Sequence, residues 1–144
     1  MAGIKNINLG ENVSIVEPVN LYGCTIGDNV KIGPFVEIQK DAEVGEYSII
    51  SSHSFIPSGV KIGKNTFIGH GVMFTNDIFD SDLIESWKMK ETIVGDRVRI
   101  GSNSTILPVK IGNNVIIGAG SVVTKDIPDN CVAYGNPAKI TRQI

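Results

Sequence analysis

His53 and His70 are the chain's two histidines. Imidazole is the side chain whose ordinary titration lies closest to neutrality, so either can act as a general base towards an attacking group. Two histidines cannot supply the three imidazoles of a three-histidine zinc site, and no metal is expected. Cys24 and Cys131 lie far apart without a Cys-x-x-Cys spacing, so two reduced thiols are expected rather than a disulfide. The excess of negative charge lies in one stretch, residues 75–93, where Asp77, Asp80, Asp82, Glu85 and Glu91 outnumber Lys88 and Lys90 by three. The whole chain carries −2, and it has no basic run that could follow a phosphate backbone, which argues against a nucleic-acid partner. No window approaches the roughly 18 apolar residues of a membrane span, and the N-terminus lacks the apolar stretch of a signal peptide. A cytoplasmic protein without a membrane partner is expected.

A repeat positions these groups. Aliphatic or aromatic residues recur every six positions at Leu9, Ile15 and Leu21, then from Ile26 through Ile32, Ile38, Val44, Ile50, Ile56, Ile62 and Ile68 to Phe74. The period resumes at Val94, Ile100 and Ile106, then Ile111, Ile117 and Val123, with five-residue steps at Leu21 to Ile26 and at Ile106 to Ile111. The following residue is glycine at 10, 27, 33, 45, 63, 69, 95, 101, 112 and 118, so most of the 16 glycines serve one device. The fifth position is small or β-branched, as in Val30, Ser54, Thr66 and Ser121. A period of 3.6 would not keep both phases, whereas β-branched aliphatics followed by turn-permissive glycines suit short strands and corners. Three units close a triangular coil of about 18 residues whose aliphatics stack on those of the next coil. The fold expected is all-β, a single-stranded parallel β-helix of about six coils between Leu9 and Pro128. Aromatics, 6% of the chain, are scarce because such an interior is narrow. The coil length also sets His53 and His70 on the same side of adjacent layers, with Ser52 directly below His70.

Two departures interrupt the repeat within one domain of residues 1–144. Residues 75–93 keep no six-residue phase and form an excursion loop, with Trp87 packing it against a coil wall or a neighbouring subunit. Residues 129–144 form a C-terminal cap over the open end, which would otherwise offer unpaired backbone groups.

The repeated [LIV]-Gly-x-x-[small]-x unit resembles the hexapeptide-repeat acyltransferases, and that resemblance alone implies a left-handed coil. IGAGSVVTKDIP, from Ile117 to Pro128, followed by GNPAK, from Gly135 to Lys139, resembles the C-terminal signature of members that use acetyl-CoA. IGHGVMFTND, from Ile68 to Asp77, with Trp87 and the early NLYGCTIG stretch, resembles the branch of bacterial N-acetyltransferases acting on nucleotide-linked 3-amino sugars.

The resemblance implies transfer of acetyl from acetyl-CoA to the amine of a UDP- or dTDP-linked amino sugar, for surface polysaccharide. Asn76 would sit beside the amine and accept its N–H, with Asp77, His53 and Glu37 on the substrate and His70 or His53 as base where a base is used. Gly101, Ala119, Gly120, Lys125, Pro137 and Lys139 would line the coenzyme site. Glu37, Arg97 and Arg99 are unranked candidates for the nucleotide, and a homotrimer with sites between subunits is implied. An O-acetyltransferase of a simple sugar or other small acceptor and a non-catalytic scaffold are the alternatives.

Overall fold

A computed structural model describes residues 3–80 and 84–144; residues 1–2 and 81–83, including Asp82 of the acidic loop, lie outside the described residues. The chain winds as a three-sided parallel β-helix. Face A stacks β1 (Ile4–Lys5), β4 (Asn20–Tyr22), β7 (Glu37–Ile38), β10 (Phe55–Ile56), β13 (Met73–Phe74), β16 (Thr105–Ile106) and β19 (Val122–Val123). Face B stacks β2 (Asn8–Leu9), β5 (Thr25–Ile26), β8 (Glu43–Val44), β11 (Val60–Ile62), β14 (Thr92–Val94) and β17 (Lys110–Ile111). Face C stacks β3 (Ser14–Ile15), β6 (Lys31–Ile32), β9 (Ile49–Ile50), β12 (Phe67–Ile68), β15 (Arg99–Ile100) and β18 (Ile116–Ile117), and ends in β20 (Cys131–Gly135) and β21 (Ala138–Gln143). Face A has seven rungs, one more than the repeat from Leu9 predicts, because Ile4 pairs with Leu21 ahead of the first expected coil.

The inward ladder is the one the period predicts: Leu21, Ile38, Ile56, Phe74, Ile106 and Val123 are buried under face A, with equivalent columns under B and C. The fifth-position hydroxyls are buried too, and each needs a partner there. Ser48 donates to the Gly63 carbonyl at 2.7 Å and Ser54 to that of Gly69 at 2.8 Å, while the next coil's Thr66 and Val72 amides donate back to these two hydroxyls. The glycine after most strands of faces B and C has a different reason from the turn role predicted. Gly45 is not left-handed, but a Cβ on it would lie 2.5 Å from the backbone of Gly63 one coil on. Close stacking requires these glycines. The left-handed turn residue comes two positions later and is most often asparagine, as at Asn12, Asn29, Asn65, Asn103 and Asn114, a residue that tolerates this region. Some of these amides bond along the stack, Asn12 to Asn29 at 2.7 Å and Asn114 to Asn130 at 2.9 Å.

Every change in coil length falls at one corner. The B–C and C–A corners keep six-residue steps throughout, whereas the A–B corner is five residues at Ile4 to Leu9, Leu21 to Ile26 and Ile106 to Ile111, six at Ile38 to Val44 and Ile56 to Ile62, and twenty at Phe74 to Val94. The excursion loop occupies that last corner, and a short 3-10 turn spans Ile84–Ser86 within it. The expected cap is a hairpin: β20 extends face C in parallel with β18, and β21 returns antiparallel along it. Both cysteines are free and buried, Cys24 in the second coil and Cys131 in the cap. Among the described residues no helix is long and apolar enough to cross a membrane.

Candidate active site

The C–A corner carries both histidines. Its second turn position reads Pro34, Ser52, His70, Ser102 and Ala119 up the stack, and its left-handed position reads Phe35, His53, Gly71, Asn103 and Gly120. Ser52 stands below His70 as the coil length predicts, with its hydroxyl 2.8 Å from Nδ1. The His70 amide donates to Ser102 Oγ at 3.2 Å, and its carbonyl accepts from the Asn103 amide at 2.8 Å. The ring is therefore held at one nitrogen and the backbone at both sides, which leaves Nε2 as the nitrogen not engaged by Ser52. His53 does not meet His70. It lies one column over and stacks on Phe35, centroids 4.8 Å apart. Both Phe35 and His53 are left-handed, where asparagine or glycine costs less, and bulky residues in that region cluster at functional sites. Below His70 a groove of about 340 Å³ runs towards the N-terminal end of face C past Ser52, Pro34 and Lys31. The sequence alone does not single out Lys31 or Phe35; aromatic Phe35 at an asparagine position was the available signal.

Asn76 lies at the A–B corner, across face A from the histidines. Its Nδ2 donates to the Ser58 carbonyl at 3.1 Å, and a carbonyl can only accept, so Oδ1 remains as the acceptor. The Ser58 amide donates to Gln39 Oε1 at 3.3 Å, Gln39 Nε2 to Glu37 Oε2 at 2.9 Å, and Asn20 Nδ2 to Glu37 Oε1 at 3.0 Å. One polar strip thus links Asn76 to Glu37 and Asn20 along the edge of face A. Beside it, Thr75 Oγ1 is buried without a partner among the described residues. Such an orphan hydroxyl costs about 1–3 kcal/mol unless a ligand satisfies it.

Contacts among the described residues fasten the loop base. The Lys90 amide donates to the Asn76 carbonyl at 2.8 Å, Lys90 Nζ pairs with Asp80 at 3.2 Å, and Met89 lies over Gly59. Asp77 turns inward on its own loop, accepting the Phe79 amide at 2.8 Å. Trp87 is half-exposed, and Met89 is the loop residue that lies against Gly59 of the coil. Phe79 and Ile84 at the loop tip are 88% and 92% exposed.

The residues expected around the coenzyme fall into two groups at the upper end. Gly101, Ala119 and Gly120 share the C–A corner; a Cβ on Gly101 would strike the Ala119 backbone, whereas one on Gly120 would meet open space. Lys125, Pro137 and Lys139 surround a cavity of about 260 Å³ between the last A–B corner and the cap hairpin. Of the nucleotide candidates, Glu37 lies in the polar strip, Arg99 on face C, and Arg97 at the B–C corner away from face A. His70 and Asn76 are six residues apart along β13, at most about 20 Å when extended, so one chain presents them at opposite edges of one face.

Two family models match the chain: "Bacterial transferase hexapeptide (six repeats)" over residues 23–58 and "Hexapeptide repeat of succinyl-transferase" over residues 91–125. The bifunctional protein GlmU of Bartonella bacilliformis is 36% identical over 123 residues, covering 85% of this chain and 25% of that protein. Its counterpart from a Synechococcus species is 32% identical over 149 residues, covering 96% and 33%. The chain thus spans a quarter to a third of these relatives. Among solved structures, a mutant of AntD, an N-acyltransferase from Bacillus cereus with dTDP and coenzyme A, superposes with a TM-score of 0.77 at 23% identity, covering 94% of this chain and 83% of that one. A mutant of perosamine N-acetyltransferase from Caulobacter crescentus, with CoA and GDP-perosamine, gives 0.73 at 24%, covering 94% and 58%. A maltose O-acetyltransferase from Clostridium difficile gives 0.66 at 28%, covering 99% and 69%.

Proposed function

The chain is a hexapeptide-repeat protein with the repeat of the bacterial transferases, and from that premise we propose that it transfers an acetyl group from acetyl-CoA to the amine of a nucleotide-linked amino sugar. The observation that carries the reading is the Asn76 side chain, whose Nδ2 is committed to Ser58 and whose Oδ1 is left to receive an amine N–H at the head of a polar strip. The N-acyltransferases with nucleotide or nucleotide sugar bound, reported above, support the same acceptor class.

The chemistry is undemanding in groups and demanding in position. The neutral amine attacks the thioester carbonyl, the C–N bond forms, and the C–S bond breaks with the electron pair leaving on sulfur. Asn76 Oδ1 aims the lone pair by accepting one N–H. The amine proton passes to His70 Nε2 or to the departing thiolate. Lys125 and Lys139 would meet the phosphates of the coenzyme, and Ala119 and Gly120 would leave room for its arm.

We also propose that three copies assemble side by side. Face B is polar, with Lys61 paired to Glu43, whereas the outward residues of face A include Phe55, Met73 and Val122 and those of face C include Ile49, Phe67 and Ile116. In a closed ring each contact joins two different patches. Setting the C–A edge of one copy, with His70, against the A–B edge of the next, with Asn76, is the contact that would reunite groups that one chain keeps apart.

The test is turnover with acetyl-CoA and a panel of UDP-, dTDP- and GDP-linked 3-amino and 4-amino sugars, followed through the released thiol. Turnover on one of them is expected. Silence across the panel together with turnover on simple sugars would establish the second reading, O-acetyl transfer, which the similarity to the maltose enzyme favours. A hydroxyl is far less acidic than an ammonium, so in that case His70 becomes obligatory as base.

A further inference from the structure

We propose that the pocket at the N-terminal end of face A holds the nucleoside diphosphate half of the acceptor, with Lys40 and Lys5 on the phosphates and Tyr22 against the base. The identity of this occupant rests on the amino-sugar reading above; the pocket itself does not.

The pocket is a product of corner length. The first two A–B corners are one residue short and the third, from Ile38 to Val44, is full, so Lys40 overhangs an indentation of about 730 Å³ lined by Lys5, Asn6, Asn20, Tyr22 and Gly23. Gly23 makes room for the overhang. A Cβ there would lie 2.9 Å from Lys40 Cγ, so the lysine stem crosses the bare backbone of the coil below it.

The lining is cationic. No carboxylate belongs to it, and the ion pairs among the described residues join Lys61, Lys64 and Lys90 to acids but neither Lys5 nor Lys40. Two ammonium groups without a carboxylate partner at a concave surface attract a polyanion, and lysine suits phosphate as a compact charge. Tyr22 offers a flat face for stacking, while the amides of Asn6 and Asn20 carry both donors and acceptors for a base edge or ribose.

The pocket also lies at the right end of the polar strip. Asn20 is shared between the two. Along the edge of face A the order is Asn76, then Ser58, then Gln39 and Lys40, then Tyr22, then Lys5. Lys40 is two rungs below Asn76, about 10 Å, and Lys5 four rungs, about 19 Å. An amine at Asn76, sugar hydroxyls along Gln39 and Glu37 and a diphosphate at Lys40 follow that order, with the base on Tyr22 and Lys5 reaching back to the phosphates from the far side of the pocket.

The experiment is calorimetric titration of the full chain with UDP, dTDP, GDP and inorganic pyrophosphate, repeated on Lys5→Met, Lys40→Met, Tyr22→Ala and the face B control Lys110→Met. Expected are binding of at least one nucleoside diphosphate, a loss of roughly tenfold for each pocket lysine variant, recovery in Lys40→Arg, and no change in Lys110→Met. Salt should weaken the binding. Tyr22→Ala should weaken the nucleoside diphosphates and leave pyrophosphate unaffected. Unchanged affinity in both lysine variants, each shown folded by its melting curve, would overturn the proposal. So would acetyl transfer to a nucleotide amino sugar whose KM is the same in Lys5→Met and Lys40→Met as in the parent, an outcome that leaves the amino-sugar reading intact. Conversely, lysine-dependent binding of a nucleoside diphosphate without acetyl transfer to any nucleotide sugar would uphold the pocket and sink the reading of the acceptor.

Discussion

The hydroxyl of Ser52 lies 2.8 Å from Nδ1 of His70, although 18 residues separate them, because one full coil returns the chain to the same corner. The contact fixes which ring nitrogen is turned towards Ser52 and makes Ser52 a positioning residue for His70. Ser52→Ala should lower kcat by about tenfold, ~1.4 kcal/mol in the barrier, with KM for acetyl-CoA little changed. The double variant Ser52→Ala/His70→Ala should lose no more than His70→Ala alone, since the serine acts only through the ring. Additive losses in that cycle would show Ser52 acting by another route, and a His70→Ala enzyme with full kcat would send the proton to the coenzyme sulfur.

Asn76 is tied to Ser58 through its amide nitrogen, so oxygen and nitrogen have different work. Asn76→Asp keeps an acceptor but cannot donate to the Ser58 carbonyl, whereas Asn76→Ala removes both. Steady-state kinetics should show a loss of roughly 10²-fold in kcat for Asn76→Ala, the size expected for one oriented contact. A fully active Asn76→Ala would remove it from the site.

The stacking glycines are predicted to be intolerant for reasons of space. Gly45→Ala sets a methyl group 2.5 Å from the Gly63 backbone and should destabilise the chain by roughly 1–3 kcal/mol, as overpacking does. Thermal melts of Gly45→Ala and Asn65→Gly separate the two devices. Gly45→Ala should melt well below the parent, and Asn65→Gly should melt near it, since glycine accepts the left-handed turn at position 65.

Burial pushes the Cys24 thiol above its ordinary value. The folded state therefore holds this proton more tightly than the unfolded state, and the associated stability is complete at neutral pH and falls as pH rises past the unfolded thiol's value of about 8.5. Urea midpoints measured from about pH 7 to 10, the range that spans this titration, should decline more steeply for the parent than for Cys24→Ala. Parallel slopes would mean the thiol contributes nothing to the alkaline limb.

Assembly has a direct readout. Light scattering should give three times the 15.4 kDa chain mass. Phe67→Glu on face C should reduce it to the single-chain mass, while Lys61→Glu on face B should leave it unchanged. A single-chain mass for the parent would leave His70 and Asn76 unable to share one acceptor.

The sequence was most legible where the structure is most regular. Inward aliphatics and following glycines recur because each coil must repeat the cross-section of its neighbour, so strand positions and the Ser52–His70 contact can be counted out in advance. Ile4 escaped because it precedes Leu9 by five residues rather than six, with no earlier unit to carry the register. The pairing of His53 with Phe35 rather than His70 turns on a single residue: the histidines are 17 apart, and the coil at that corner takes 18. Of the strip from Asn76 to Asn20, Asn76 and Glu37 were legible, but Ser58, Gln39 and Asn20 and the bonds that join them were not. The strip depends on how far each A–B corner projects, and those corners are the part of the chain without a common length.

That concentration of irregularity separates two requirements that usually compete within a small protein. Faces B and C meet at a corner of constant length, as do faces C and A, so two of the three edges act as a fixed frame that any coil can join. The third edge is free to shorten, bulge or extend without shifting the register of the strands above or below. Changes in what the protein recognises can therefore be made by adding or removing residues at one edge, coil by coil, with each alteration confined to its own layer and its immediate neighbours.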